Sequence, residues 1–306
     1  MSVNVQATTR ILSGAQVGIP PRHMSFSFPA EADRYFFFNQ NPLASLMFVV
    51  FSGIFPPGER FFVESVRHFR NQISDPTLKA QVAGFIGQEA LHGREHDRLN
   101  SFFAERKLAV DIPERYVKWG LIQLENLSPR LQLACTTMME HFTAHLAEQW
   151  LTHEEFRNSS DGEMLKLWYW HALEELEHKS VAYDVFEQVG GTVAERRIAL
   201  GLIIALMAPP IIASWGVLLI KEGQLLNVRE NARGLRALFG KRGFISGILK
   251  HMPAYLKPGF HPSQQQTQAL EREWREKLFG QYGELLQEFS NREALACCDN
   301  ECYLDS

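Results

Sequence analysis

A glutamate and a histidine three residues apart on a helix share one face, so a Glu-x-x-His run can offer a carboxylate and an imidazole to one ion. Two such runs lie inside long helical stretches of this sequence, Glu89 to His92 and Glu175 to His178. Each follows a lone glutamate by about one helix hairpin. Glu59 and Glu89 are centred on residue 74, within Ser74-Asp75-Pro76, where Asp75 reads as a helix N-cap and Pro76 as the first helical position. Glu140 and Glu175 are centred between Arg157 and Asn158, at the head of the turn-like run Arg157-Asn158-Ser159-Ser160-Asp161-Gly162. Residues equidistant from the turn of an antiparallel helix pair lie level, so each hairpin sets a Glu beside a Glu-x-x-His. Glu59, Glu89, His92, Glu140, Glu175 and His178 are thus expected to converge as the ligands of a dinuclear carboxylate centre. Two divalent cations would cancel four buried negative charges that are very costly alone. The competing reading is a structural polar network in which every group is satisfied.

Further polar residues extend these stripes. His96 lies four positions past His92, and His171 four before Glu175. Each could be an extra ligand or a donor that orients a ligand carboxylate, and the orienting role is preferred. Thr143, three residues after Glu140 on its face, is placed to hydrogen-bond a metal-bound water. His96, His171 and Thr143 are therefore the candidate catalytic residues. Glu174 and Glu177 point a hundred degrees or more from Glu175 and read as ion-pair partners. Glu64 competes with Glu59 but faces elsewhere, and His141 and His145 sit one position off the Glu140 stripe, suited to core or surface.

The elements that must position these groups are helical, with no alternating run that reads as a strand. Residues 1–42 form an irregular arm punctuated by Pro20, Pro21, Pro29 and Pro42 and rich in aromatics: Phe26, Phe28, Tyr35, Phe36, Phe37 and Phe38. It is expected to wrap apolar surface. Leu43 to Phe55 reads as a short helix broken at Pro56-Pro57-Gly58, after which Glu59 opens a helix to about Ile73. Helices then follow from Pro76 to about Arg106, Pro129 to about His153 and Asp161 to about Val189, with a Pro113-led helix in the crossover. The expected fold is all-α, a ferritin-like four-helix bundle over 43–192 with additional C-terminal helices. An apolar segment and basic stretch occupy 193–260, and 261–306 holds an amphipathic helix, Glu271 to Phe289, and a tail.

Ile198 to Ile220 is twenty-three residues without a charge. A helix apolar all round is buried or in lipid. Pro209-Pro210 divides it into halves of about ten residues, each roughly 16 Å long, against a bilayer core of about 30 Å. It is expected to be either one kinked span or a hairpin that dips in and returns; a core or dimer-interface helix is the alternative. From 221 to 257 there are eight Lys/Arg against two acids, Glu222 and Glu230, a stretch suited to an anionic leaflet. The expected partners are accordingly an anionic membrane surface through 198–257, a homodimer partner and a small apolar substrate.

At 45% hydrophobic and 22% charged the chain is globular material, and a net charge of −4 argues against nucleic acid as a partner. Cys135, Cys297, Cys298 and Cys302 make no disulfide framework and point to a reducing compartment; the tail triplet reads as inert or redox-exposed rather than metal-binding. Met1 to Thr9 is polar, without the apolar core of a secretion signal. The expected location is cytoplasmic, peripheral on or dipping into the inner membrane.

Taken together, Phe55-Pro56-Pro57-Gly58-Glu59-Arg60-Phe61-Phe62, Gln88-Glu89-Ala90-Leu91-His92 with His96, Glu140-His141-Phe142-Thr143 and Trp170-His171-Ala172-Leu173-Glu174-Glu175-Leu176-Glu177-His178-Lys179-Ser180-Val181-Ala182 resemble the bacterial family of predicted metal-dependent hydrolases, over roughly residues 20–225. The resemblance implies Glu59, through the family's Pro-x-Gly-Glu element, together with Glu140, Glu175 and His178 as ligands. It implies likeness to ferritin-like di-iron carboxylate proteins, whose usual chemistry is activation of dioxygen. Beyond about 260 it offers no counterpart. Carboxylate-rich ligation suits hard, redox-active ions. The expectation is therefore a di-iron or Fe/Mn oxidase or oxygenase acting on an apolar or lipid-like substrate. The alternatives are a two-metal hydrolase, with zinc also able to fill the site, and a non-catalytic metal-binding or membrane-associated structural protein. No nucleophile elbow, phosphate loop or nucleotide fingerprint competes for the site.

Overall fold

The computed structural model describes residues 12–28 and 37–295. Expectations on Met1 to Thr9, on Pro29, Tyr35 and Phe36 of the arm, and on Cys297, Cys298 and Cys302 lie outside these residues. The described chain is helical throughout: α1 (Pro42–Arg67), α2 (Pro76–Glu105), α3 (Asp111–Glu125), α4 (Pro129–Thr152), α5 (Glu154–Asn158), α6 (Gly162–His178), α7 (Val181–Gln188), α8 (Val193–Leu206), α9 (Ala208–Lys221), α10 (Val228–Phe239), α11 (Phe244–Leu249) and α12 (Gln268–Phe279). No strand occurs among the described residues, and one isolated antiparallel bridge joins Met24 to Phe289. The fold is all-α, as its periodicity predicts.

Local chemistry sets the helix starts. Asn41, Asp75 and Asp161 accept backbone N–H groups in the first turns of α1, α2 and α6. Thr192 and Glu195 form a reciprocal capping box on α8. Three helices differ from expectation. The Pro56-Pro57 pair does not end a helix; both prolines lie inside a continuous α1. Proline removes the N–H that the Ser52 carbonyl would accept, and Asn100 Nδ2 on α2 donates to that carbonyl instead at 2.9 Å. The stretch from Asp161 to Val189 is interrupted at Lys179-Ser180. There the buried Lys179 ammonium reaches the Leu176 carbonyl as well as Thr267 and Glu271. The C-terminal helix stops at Phe279 rather than Phe289, at Gly280. Beyond it the chain runs back beside the arm, Ser25 N–H donating to Glu288 and Ser290 N–H to His23.

One buried apolar cluster extends from Met24 in the arm through α1, α2, α4 and α6 to Leu218, Leu238, Trp274 and Leu285. Phe38 anchors the arm in it, 4.4 Å from Phe48 and 5.0 Å from Trp150 between ring centres. Among the described residues two helical runs are long and apolar enough to cross a membrane, but they differ in surroundings. In Pro42–Gln72 the apolar window is 78% buried, as a core helix should be; in Val193–Lys221 it is 22% buried.

Candidate metal centre

Glu59 comes from α1, Glu89 and His92 from α2, Glu140 from α4, and Glu175 and His178 from α6; all six are buried. Their donor atoms converge. Glu89, Glu140 and His178 offer atoms within 4.8 Å of one another, as do Glu89, His92 and Glu175, and a third group joins Glu59 and His92 to His171. Gly93 leaves room for this approach, since a Cβ there would stand 3.1 Å from Glu59 Oε2. Glu64, by contrast, is exposed and paired with Arg67 at 2.6 Å.

Nine inward atoms have no hydrogen-bond partner: both oxygens of Glu59, Glu89 and Glu140, Glu175 Oε2, His92 Nδ1 and His178 Nε2. Nearly all buried polar groups in proteins are satisfied, so nine orphans aimed at one another are a demand for positive charge. The acids register that demand. Burial, then the neighbouring carboxylates, push Glu59, Glu89 and Glu140 above the usual carboxylate range. Burial disfavours the charge on His178, yet Glu175 and Glu89 outweigh it and hold the imidazole above its ordinary value. Glu175 goes the other way, lowered against its own burial by His178 and His171. The set retains protons where divalent cations could stand, and the donor set fits such ions.

Partner atoms on the outer side decide which nitrogen of each imidazole faces inward. Gln88 Nε2 donates to the Pro20 carbonyl and to Glu177, both pure acceptors, so Gln88 Oε1 faces His178 Nδ1 at 2.9 Å. His178 Nδ1 must then carry the proton, and in the neutral ring Nε2 presents a lone pair to Glu89, Glu140 and Glu175 at 3.0, 3.6 and 3.5 Å. His92 is held reciprocally. Its Nε2 meets Glu174 Oε2 at 3.0 Å, and Nδ1 faces Glu175 at 3.6 Å and Glu89 at 4.0 Å. Gln88 and Glu174 each precede the glutamate of one motif, and each orients the histidine of the other. Arg22 of the arm closes this outer layer, binding Glu174 at 2.9 Å and Glu177 at 2.8 Å. Ion pairing was the expectation for both acids; the contact of Glu174 with His92 is the part that sequence spacing missed.

His171 is fixed by a longer chain. Asn100 Nδ2 is committed to the Ser52 carbonyl, so Asn100 Oδ1 accepts from Ser52 Oγ at 2.7 Å. Ser52 Oγ then accepts from His96 Nδ1 at 3.0 Å, and His96 Nε2 accepts from His171 Nδ1 at 2.8 Å. In the neutral ring, His171 Nε2 is left with a lone pair 3.0 Å from Glu175 Oε1 and 3.8 Å from Glu59 Oε1. A lone pair against a carboxylate oxygen is repulsive unless a cation or proton stands between them. His171 therefore stands in the ring of inward donors, whereas His96 stands behind it. Thr143 Oγ1 donates to the Glu140 carbonyl at 3.2 Å. Its side chain lines a cavity together with Phe55, Leu146, Ala147, Trp150, Trp168, His171, Ala172 and Glu175. The cavity holds about 240 Å³ of atom-free space, part of it open to solvent, with room inside for about one water. His141 and His145 pack away from the centre, and burial with the neighbouring His145 lowers His141 to about 4.

No curated protein and no solved structure matches the chain. The family model described as predicted metal-dependent hydrolase matches residues 20–266, a range that contains every donor described above and Arg22 behind them. By that match the chain belongs to the predicted metal-dependent hydrolase family.

Proposed function

We propose that the chain is a metal-dependent hydrolase with a dinuclear centre held by Glu59, Glu89, His92, Glu140, Glu175 and His178, with His171 as a third imidazole ligand. The observation that carries this reading is the convergence of nine buried, unpartnered donor atoms. A bound pair of divalent ions supplies Lewis acidity and a water acidified to near neutral pH. The chain supplies the rest. Gln88, Glu174 and His96 orient the three imidazoles, while Phe55, Trp150 and Trp168 offer an apolar surface to the group next to the bond that is cleaved.

The family description favours hydrolysis. A second reading, an iron or iron/manganese oxidase or oxygenase acting on an apolar substrate, is favoured by four carboxylates in the donor set and by the aromatic lining. Metal analysis of protein purified without added metal separates the two. Zinc alone, with no absorbance change on reduction and reoxidation, together with ester cleavage, supports hydrolysis. Iron or manganese with an air-dependent absorbance change supports the second reading. Glu89→Ala combined with Glu175→Ala should abolish binding of about two metal ions per chain. Retention of both ions by that variant refutes the centre.

A further inference from the structure

The run from α8 into α9 is one bent rod rather than a hairpin. Met207, the residue between them, keeps right-handed helical angles (φ −103°, ψ −42°), donating to Ile203 and accepting from Ile211. Along its length the rod packs against α1, α3 and α4. Gly120 of α3 lets it come close, since a Cβ there would stand 2.4 Å from the Leu206 carbonyl oxygen. A rod held side-on to the protein body turns an outer stripe fully to the surroundings. On α8 that stripe is Ala194, Ile198, Gly201, Ile204 and Ala205; on α9 it is Pro209, Ile212, Ala213 and Ile220.

The next helix adds a pattern that burial alone does not explain. α10 buries Gly234 and Leu238 with partly covered Asn231 against the start of α1. A second stripe at helical spacing, Val228, Ala232, Leu235 and Phe239, is exposed and apolar. A third, Arg229, Arg233 and Arg236, is exposed and basic beside it. Leu226, Val228 and Ile212 are 86%, 75% and 63% exposed. Apolar stripes edged by Arg197, Lys221 and the α10 arginines match the layered chemistry of a bilayer surface, with acyl chains below and phosphates above. A two-fold interface with a second copy would instead press basic edges together. Few acids could answer them, since only Glu222 and Glu230 lie in 221–257 and Glu230 is already paired with Arg233 at 2.7 Å. Nucleic acid would leave the apolar stripes uncovered.

We propose that the outer faces of α8, α9 and α10 dock in the plane of an anionic lipid bilayer without spanning it, Arg229 and Arg236 of α10 meeting lipid phosphates. Flotation of the full-length protein with vesicles of phosphatidylcholine alone, or with phosphatidylglycerol added, tests this. Binding is expected with the anionic vesicles and should weaken as salt rises. Replacing Arg229 and Arg236, the α10 arginines that are not paired with Glu230, by Gln should reduce partition roughly 5-fold per arginine, on the order of 25-fold in all. Ile212→Ser with Val228→Ser should reduce it at low and high salt alike. Leu226→Ser, at an exposed loop side chain, does the same on a smaller scale without risk to the fold, and metal content in all variants should stay at the wild-type level. Absence of flotation with either vesicle, partition unchanged by both sets of variants, or a wild-type dimer that Ile212→Ser and Val228→Ser convert to monomer would each overturn the proposal.

Discussion

The outward nitrogen of each imidazole is tied to a partner whose own hydrogen bonds are already committed, and this fixes which nitrogen of each ring faces the buried acids. Gln88 is the clearest case, because its amide is locked by the Pro20 carbonyl and Glu177, leaving only oxygen for His178. Gln88→Ala frees the ring to rotate or change tautomer, and the expected loss in metal affinity is about 10–100-fold with helicity unchanged, measured by competition with a chelator. Gln88→Glu keeps an acceptor for His178 Nδ1 but sets a carboxylate against Glu177 and the Pro20 carbonyl, so it should lower the denaturant midpoint more than Gln88→Ala does. An affinity unchanged in Gln88→Ala would mean that His178 is oriented by the inward acids alone. The asymmetry between Gln88 behind one histidine and Glu174 behind the other also predicts two metal positions of unequal strength. Glu174 is pushed up to about 8 by burial, with Arg22 opposing, so its hold on His92 depends on a group that can itself take a proton.

At the scale of elements, the arm and the long helices hold this geometry together. Arg22 reaches from the arm to two carboxylates on α6, and Glu177 is kept below the usual carboxylate range, despite its burial, by Arg22 and Arg275. Arg22→Met leaves Glu174 without its cation and Glu177 with Arg275 only. The expected cost is about 3–5 kcal/mol, read as a lower denaturant midpoint in the full chain. A midpoint within experimental scatter of wild type would mean that the arm is not fastened through this pair. The inward acids were legible from spacing, since Asp75 and Asp161 fix where α2 and α6 begin and helical geometry does the rest. What spacing could not supply was the partner from elsewhere in the chain. Pro56 and Pro57 read as a break because the group that satisfies the Ser52 carbonyl, Asn100, belongs to the next helix. The break at Lys179 has no local signal because Thr267 and Glu271, which hold its ammonium, lie far along the sequence. His171 reads as an orienting residue until the chain through His96, Ser52 and Asn100 shows that Nε2 is the nitrogen it turns to Glu175.

For the molecule as a whole, a core that gathers acids must depend on pH in a way that reveals what it is built to hold. In the metal-free protein Glu59, Glu89, Glu140 and His178 bind protons more tightly when folded than when unfolded, and Glu174 does so up to about 8. Groups raised in this way stabilise the fold at low pH and lose that contribution as pH rises through their folded values. The opposite shifts, His92, His96 and His141 lowered by burial and Glu175 lowered by its imidazole neighbours, act only below about 6.5 and 4.5, where the unfolded groups take up protons. Above 6.5, then, the buried groups still changing at the centre pull in one direction. The metal-free protein should lose about 1.4 kcal/mol per pH unit for each proton the folded state must still release, so its Tm falls between pH 6.5 and about 8. Bound divalent ions take the place of those protons and become harder to displace as pH rises, so the metal-loaded protein should hold or raise its Tm over the same range. Thermal unfolding at several pH values, with chelator and with metal, measures both slopes. Parallel slopes would identify the cluster as a polar network that satisfies itself, whereas slopes that diverge above pH 6.5 are what a centre with nine unpartnered donor atoms requires.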